Sequence, residues 1–360
     1  MSHYEERLEN DLDNIRTHIL AMAGKVDDGI RNAVRAFQTG DRRLAAETIL
    51  ADHSINREMR EIDRLCHAFI AVHLPSGIHL RMLSAAIRIN IALERIGDYA
   101  VTIARTSEQF NEPPAGALAR ELERIANSAK LMLSQSIDAY KGLNAEMARA
   151  TMVMEQDIEY DLESVYSELT ENRDREKVRE LLAVYVVLTN LKRVADQAKN
   201  LCEDIVFIVT GESKAPKIYN ILFLGKDNSG LSKMAELIAR KTYPESGTYS
   251  SCGRNPAKAL NPQMVSFLEQ HGIDAGNQKP QSLEQMMHEL VEKHVIVSLD
   301  GPVRKYIKKL PFHTTAVEWD VGPLPEGPVE EQAEQWESLY RDIATRVQDL
   351  VSILRGPEAH

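Results

Sequence analysis

The chain has 360 residues, a formal net charge of −11, and 27% charged against 43% hydrophobic residues. That balance excludes a wholly disordered chain, and the length suits two domains. The acidic excess excludes a nucleic-acid binder working through a basic face, and no stretch approaches the ~18 uninterrupted apolar residues of a membrane helix.

The first 215 residues read as long helices. Apolar residues recur at spacings of three and four with charges between them. Helix-stopping residues fall at 39–41, 73–77, 111–114, 141–144 and 170–174. They divide this part into about six helices, and long helices with short connections pack as antiparallel bundles. Leu93-Glu94-Arg95-Ile96-Gly97-Asp98-Tyr99-Ala100 is echoed 98 residues later by Leu191-Lys192-Arg193-Val194-Ala195-Asp196-Gln197-Ala198. Asp52…Asn56 is echoed 105 residues later by Asp157…Asp161. These echoes predict two copies of a three-helix unit, about 1–112 and 113–213, within a helical domain 1–213.

A short polar linker, 214–217, leads to a second domain, 218–360; eleven of the fourteen prolines lie beyond residue 215, and both tryptophans lie in the second domain. Here strands are predicted at 218–224, 248–251, 294–299 and 314–318. Helices are predicted at 232–241, 262–271, 283–293 and 329–354. The alternation points to a small parallel sheet with helices on both faces. The charged N-terminus has no apolar core, and Cys66, Cys202 and Cys252 form no CxxC pair. Both features point to a cytoplasmic protein without a disulfide framework or a thiolate zinc site.

Three residue pairs are spaced to share a helix face: Asp52 with Asn56, Glu94 with Asp98, and Asp157 with Asp161. Two like charges four residues apart destabilise a helix by a few tenths of a kcal/mol, and a hard metal ion between them reverses the sign. A chain with 54 acidic residues also produces such pairs on plain solvated faces. Recurrence beside the same landmark in both halves is what favours metal. Di-iron oxidase chemistry is excluded, because no Glu stands three residues before a His in residues 1–215. In the second domain, Gly225 to Ser232 lies at a strand–loop–helix junction whose backbone N–H groups suit an anion. Asn228, Ser229 and Ser232 are the candidate anion-binding side chains there.

Residues 1–213 resemble the PhoU family, on the strength of Asp52…Asn56…Cys66, the segment Leu93 to Ala100, and a second copy ending Val206-Phe207-Ile208-Val209-Thr210-Gly211-Glu212. The resemblance implies two three-helix repeats, each able to carry metal ions (iron, zinc or manganese) on acidic surface motifs. The residues concerned would be Asp52, Asn56, Glu94 and Asp98 in the first repeat, and Asp157, Asp161 and Asp196 in the second. It implies repression of phosphate-starvation signalling through contact with a phosphate ABC transporter and its sensor histidine kinase. Long amphipathic helices add the expectation of a homodimer. The sequence departs from the pattern at Asn56, where an acid is common, and at Lys192, which takes the place equivalent to Glu94. An ammonium there is expected to replace a metal ion by a salt bridge.

Lys217 to Gly356 resembles the low-molecular-weight protein tyrosine phosphatases and the arsenate reductases of that fold. The resemblance rests on Asn228-Ser229, Ser232-x-Met234-Ala235-Glu236, Ser251-Cys252-Gly253, and 267–274 and 341–347. That family uses Cys-x5-Arg in the loop, where the thiolate attacks and the arginine holds the oxyanion. Gly225 and Leu231 stand at those two positions, and Asp320 is not followed by the proline expected after the family's acid. The expectation is a catalytically dead domain in a cytoplasmic, non-enzymatic regulator of phosphate uptake. The alternatives are a phosphate sensor working through Gly225 to Ser232, and a phosphatase or arsenate reductase depending on Cys252 or Asp320.

Overall fold

A computed structural model describes residues 3–109, 113–155, 158, 162, 178–214, 216–275, 278–325 and 332–360. It divides into two compact units, Met1–Lys214 and Ala215–His360.

The first unit is helical. Its described helices are α1 (His3–Thr39), α2 (Arg42–His73), α3 (Gly77–Glu108), α4 (Gly116–Gly142), a helical stretch over 145–155, and α5 (Val178–Thr210). The breaks lie where the stop residues predict them, except 170–174, which falls outside the described residues. At the first break Gly40 takes φ +70°. Asp41 then caps α2, its Oδ1 accepting from Leu44 N at 3.0 Å. At the second break Leu74 turns into the left-handed region (φ 45°), and its N–H closes the helix on Ile70 O ahead of Pro75. α3 packs against α1, α2 and α5, while α5 packs against α3 and α4. One continuous apolar core runs from Leu8 on α1 to Ile208 on α5, so the two repeats share a single interior.

The second unit is a four-stranded, all-parallel sheet in the order β2-β1-β3-β4. The strands are β1 (Tyr219–Gly225), β2 (Gly247–Gly253), β3 (Val295–Ser298) and β4 (Thr315–Glu318). The helices are α6 (Leu231–Thr242), α7 (Pro262–Gln270), α8 (Leu283–Met286) and α9 (Ala333–Arg355). The helix predicted over 283–293 is one α-helical turn followed by a 3-10 stretch, Met287–Glu292. Side chains of β1 alternate across the sheet. Ile221 and Phe223 face the core built with α6, α7 and α9, while Leu222 and Leu224 face the core holding Cys252, Leu283 and Val303. The strand order reverses at β1, which opens a crevice beyond its C-terminal end. Among the described residues no helix is long and apolar enough to cross a membrane.

Asp41→Ala, which deletes a cap, should lower stability by about 1 kcal/mol. Ile96→Ala, which empties a fully buried site, should cost roughly 2–5 kcal/mol. Urea unfolding followed by helical circular dichroism should rank the two in that order.

Candidate functional site

Two places collect chemistry-bearing side chains. In the first unit, Asp52 and Asn56 sit on α2, and Glu94 and Asp98 on α3. Gly97 lets these helices approach: a Cβ there would lie 3.2 Å from Ile55 Cδ1 and 3.3 Å from Asp52 Oδ1. Asn56 donates its amide to Asp52 Oδ2 at 2.6 Å, fixing that carboxylate. Asp52 Oδ1 is buried and has no hydrogen-bond partner. Burial raises the Asp52 carboxyl above its ordinary value, and the charge of Asp98 raises it further. Burial also raises Glu94, followed by the charges of Asp98 and Asp52. Asp52 and Glu94 therefore lie in a field that disfavours their ionisation, to which the charge of Asp98 contributes.

Among the described residues no three or more His, Cys, Asp or Glu side chains stand gathered at coordinating positions. The orphaned Asp52 oxygen and the mutual repulsion nonetheless fit a cation placed between α2 and α3. An all-oxygen donor set suits hard ions, and of iron, zinc and manganese it suits manganese best.

The second repeat is built differently. Lys192 Nζ lies 3.0 Å from Asp196 and 3.8 Å from Glu155, and Lys199 Nζ lies 2.8 Å from the other oxygen of Glu155. The ammonium expected among the acids of this repeat is therefore paired with Asp196 and Glu155. Asp157 and Asp161 lie outside the described residues. No motif marks Glu155 or Lys199: Glu155, on the helical stretch 145–155, meets Lys192 and Lys199 only because the fold sets that stretch against α5.

In the second unit, the loop between β1 and α6 borders a cavity of about 890 Å³ at the C-terminal edge of the sheet. Gly253 on β2 lets the loop pass, since a Cβ there would lie 2.6 Å from Asp227 C. The loop's polar groups bond within the domain. Lys226 N donates to Asp300 Oδ2 at 2.6 Å, and Ser229 N and Oγ both donate to Asp227 Oδ1 at 2.9 Å. Asn228, in the left-handed region at φ 55°, donates to Ser232 Oγ (3.0 Å) and Ser251 Oγ (2.8 Å) and accepts from Gln281 N (2.8 Å). Ser251 in turn donates to Glu236, which also binds the buried Lys233 ammonium. The hydrogen bonds of Asn228, Ser229 and Ser232 thus tie the loop to itself and to β2.

The cavity wall carries Asp227, Asp300, Glu318 and Asp320 against Lys226, a field that repels an oxyanion. Gly225 leaves no side chain to attack, and a Cβ there would lie 2.9 Å from Ser232 Oγ. Leu231 offers no charge where an oxyanion-holding group would stand. Cys252 is buried in the sheet, and burial pushes its thiol up to about 12. It packs and carries no thiolate.

Residues 19–107 and 118–205 match the PhoU domain, and residues 220–355 match the low molecular weight phosphotyrosine protein phosphatase family. A phosphate-specific transport system accessory protein PhoU homolog from Pseudomonas putida is 29% identical over 214 residues, covering 58% of this chain and 83% of its own. The Serratia marcescens phosphate-specific transport system accessory protein PhoU is 28% identical over 213 residues, covering 58% of this chain and 87% of its own. The crystal structure of PhoU from Pseudomonas aeruginosa superposes with a TM-score of 0.55 at 28% identity, covering 57% of this chain and 99% of that one.

The fold favours the protonated forms of Asp52 and Glu94, so stability falls as pH rises through the ordinary carboxylate range toward their raised values. In chelator-treated protein, Asp52→Asn and Glu94→Gln should each raise the melting temperature at neutral pH, by the equivalent of a few tenths of a kcal/mol. The gain should vanish below about pH 4, where the wild-type carboxyls are protonated as well.

Proposed function

Because the chain joins a pair of PhoU domains to a C-terminal domain of the low molecular weight phosphotyrosine protein phosphatase type, we propose that it is a non-enzymatic accessory regulator of phosphate uptake. In this reading it works at the cytoplasmic side of a phosphate ABC transporter and its sensor histidine kinase. The relatives named as phosphate-specific transport system accessory proteins support the transport role. The observation that carries the metal part is the unpartnered, buried Asp52 Oδ1 set against Glu94 and Asp98.

In this reading Asp52, Glu94 and Asp98 hold the ion, and Asn56 orients Asp52. The bound ion supplies positive charge that cancels their repulsion. This chain's residues do the rest. Gly97 sets the α2–α3 separation, and the Asn56 amide holds one Asp52 oxygen so that the other stays directed at the shared field. Neutralising this face changes the charge that α2 and α3 offer to a partner, which makes the contact metal-dependent.

The phosphatase-type domain contributes no turnover in this reading. Its loop has no cysteine to attack and no arginine to hold an oxyanion, and Asp300 already takes the Lys226 N–H. The same bond disfavours a phosphate sensor built on this loop.

Elemental analysis of desalted wild-type protein beside Glu94→Ala/Asp98→Ala tests the metal reading. Bound manganese, iron or zinc should be present in the first and lost in the second, and capture of the transporter's ATPase subunit should fall with it. Protein that takes up no metal after incubation with these ions would reduce the carboxylates to a solvated face. Hydrolysis of an aryl phosphate should stay at the uncatalysed rate, with Cys252→Ser and Asp320→Asn unchanged from wild type. A rate above background lost in either variant would overturn the non-enzymatic reading.

A further inference from the structure

The two repeats differ at equivalent positions of their signature helices. Glu94 on α3 corresponds to Lys192 on α5, and Gly97 corresponds to Ala195. In the first repeat the missing Cβ brings Asp52 against α3, and its buried Oδ1 has no hydrogen-bond partner; His53 and Arg105 act on it only at a distance. In the second repeat a Cβ is present, Ala195 is fully buried, and Lys192 reaches both Asp196 and Glu155. Lys199 covers the remaining oxygen of Glu155.

We infer that Lys192, backed by Lys199, is a resident cation that closes the second repeat to metal, so that the chain answers to metal through its first repeat alone. The inference rests on the reading of the first repeat as a metal site.

The physical reason is charge exclusion. An ammonium about 3 Å from a half-buried carboxylate already supplies the positive charge that an ion would bring. A divalent ion entering beside Asp196 would have to displace Lys192 from two carboxylates and then tolerate its charge at close range. The first repeat presents no such barrier: its Glu94 adds a ligand where Lys192 adds a competitor. Pseudo-symmetric halves thereby become functionally unequal. One face changes charge with metal, and on the other the described carboxylates, Asp196 and Glu155, keep their lysine partners at all metal levels.

The test uses the full chain and manganese chloride, with hydrogen exchange read by peptide mass spectrometry and bound metal by elemental analysis. In the wild type, manganese should slow exchange over 50–60 and 92–100 and leave 190–200 unchanged, and Asp196→Ala should leave bound metal unchanged. Manganese protection over 190–200 in the wild type, or metal lost in Asp196→Ala, would overturn the inference. A second arm keeps the first repeat out by using Glu94→Ala/Asp98→Ala as the background. Adding Lys192→Glu/Ala195→Gly there transplants both first-repeat residues and should create manganese-dependent protection over 190–200; no gain counts against the inference. If that variant does not fold, Lys192→Met in the same background should melt lower than its parent and recover with manganese, whereas the parent should not respond. A wild type that answers to manganese nowhere sinks the metal reading of the first repeat. The second arm still decides the role of Lys192.

Discussion

Helices α2 and α3 come together at Gly97, where the absence of a side chain lets Asp52 approach the face that carries Glu94 and Asp98. Close helix packing removes carboxylates from water, and each carboxylate then needs positive charge or a proton. The raised carboxyls of Asp52 and Glu94 are the direct consequence. The chemistry of the first unit follows from how that need is met. In one repeat Asp52 Oδ1 is left without a hydrogen-bond partner, and in the other the carboxylates of Asp196 and Glu155 are paired with Lys192 and Lys199.

The same principle, applied to backbone rather than carboxylates, governs the second unit. A loop between a parallel strand and a helix exposes N–H groups that favour an anion. Here the protein supplies those partners from its own side chains: Asp300 for Lys226 N, and Asp227 for Ser229 N. Behind them runs a buried chain of bonds from Asn228 through Ser251 to Glu236 and Lys233. This network of internal bonds holds the loop's conformation. The fold thus stands on its own bonds, with an acidic cavity wall and a glycine, Gly225, at the end of β1.

Much of this was legible in the residues. Helix breaks, strand positions and the two-unit division all rest on local signals: glycine and proline where the chain turns, period 3.6 where it does not, and short apolar runs between turn residues. Lys192 stood out because an internal repeat supplied its own reference, so a charge reversal at one position could be seen without any other sequence. Glu155, Lys199 and Asp300 were not legible. Glu155 and Lys199 meet across 44 residues and Asp300 meets Lys226 across 74, and nothing local marks which of many acidic or basic residues will meet. Asn228 and Ser232, four residues apart, bond to each other, but the other partners of Asn228, Ser251 and Gln281, are brought to it by the fold and not by any motif.

The sequence by itself determined the elements and their kind, because those depend on interactions over a few residues of chain. It also determined what the C-terminal loop lacks, since a missing cysteine and arginine are absent in any conformation. Only the tertiary structure decided which charges are paired, because pairing depends on distances between helices that a packed core and a single glycine set. Coulombic energy varies inversely with those distances and with the local dielectric. The same carboxylate is therefore a solvated ornament on one face and a site that calls for a cation on another.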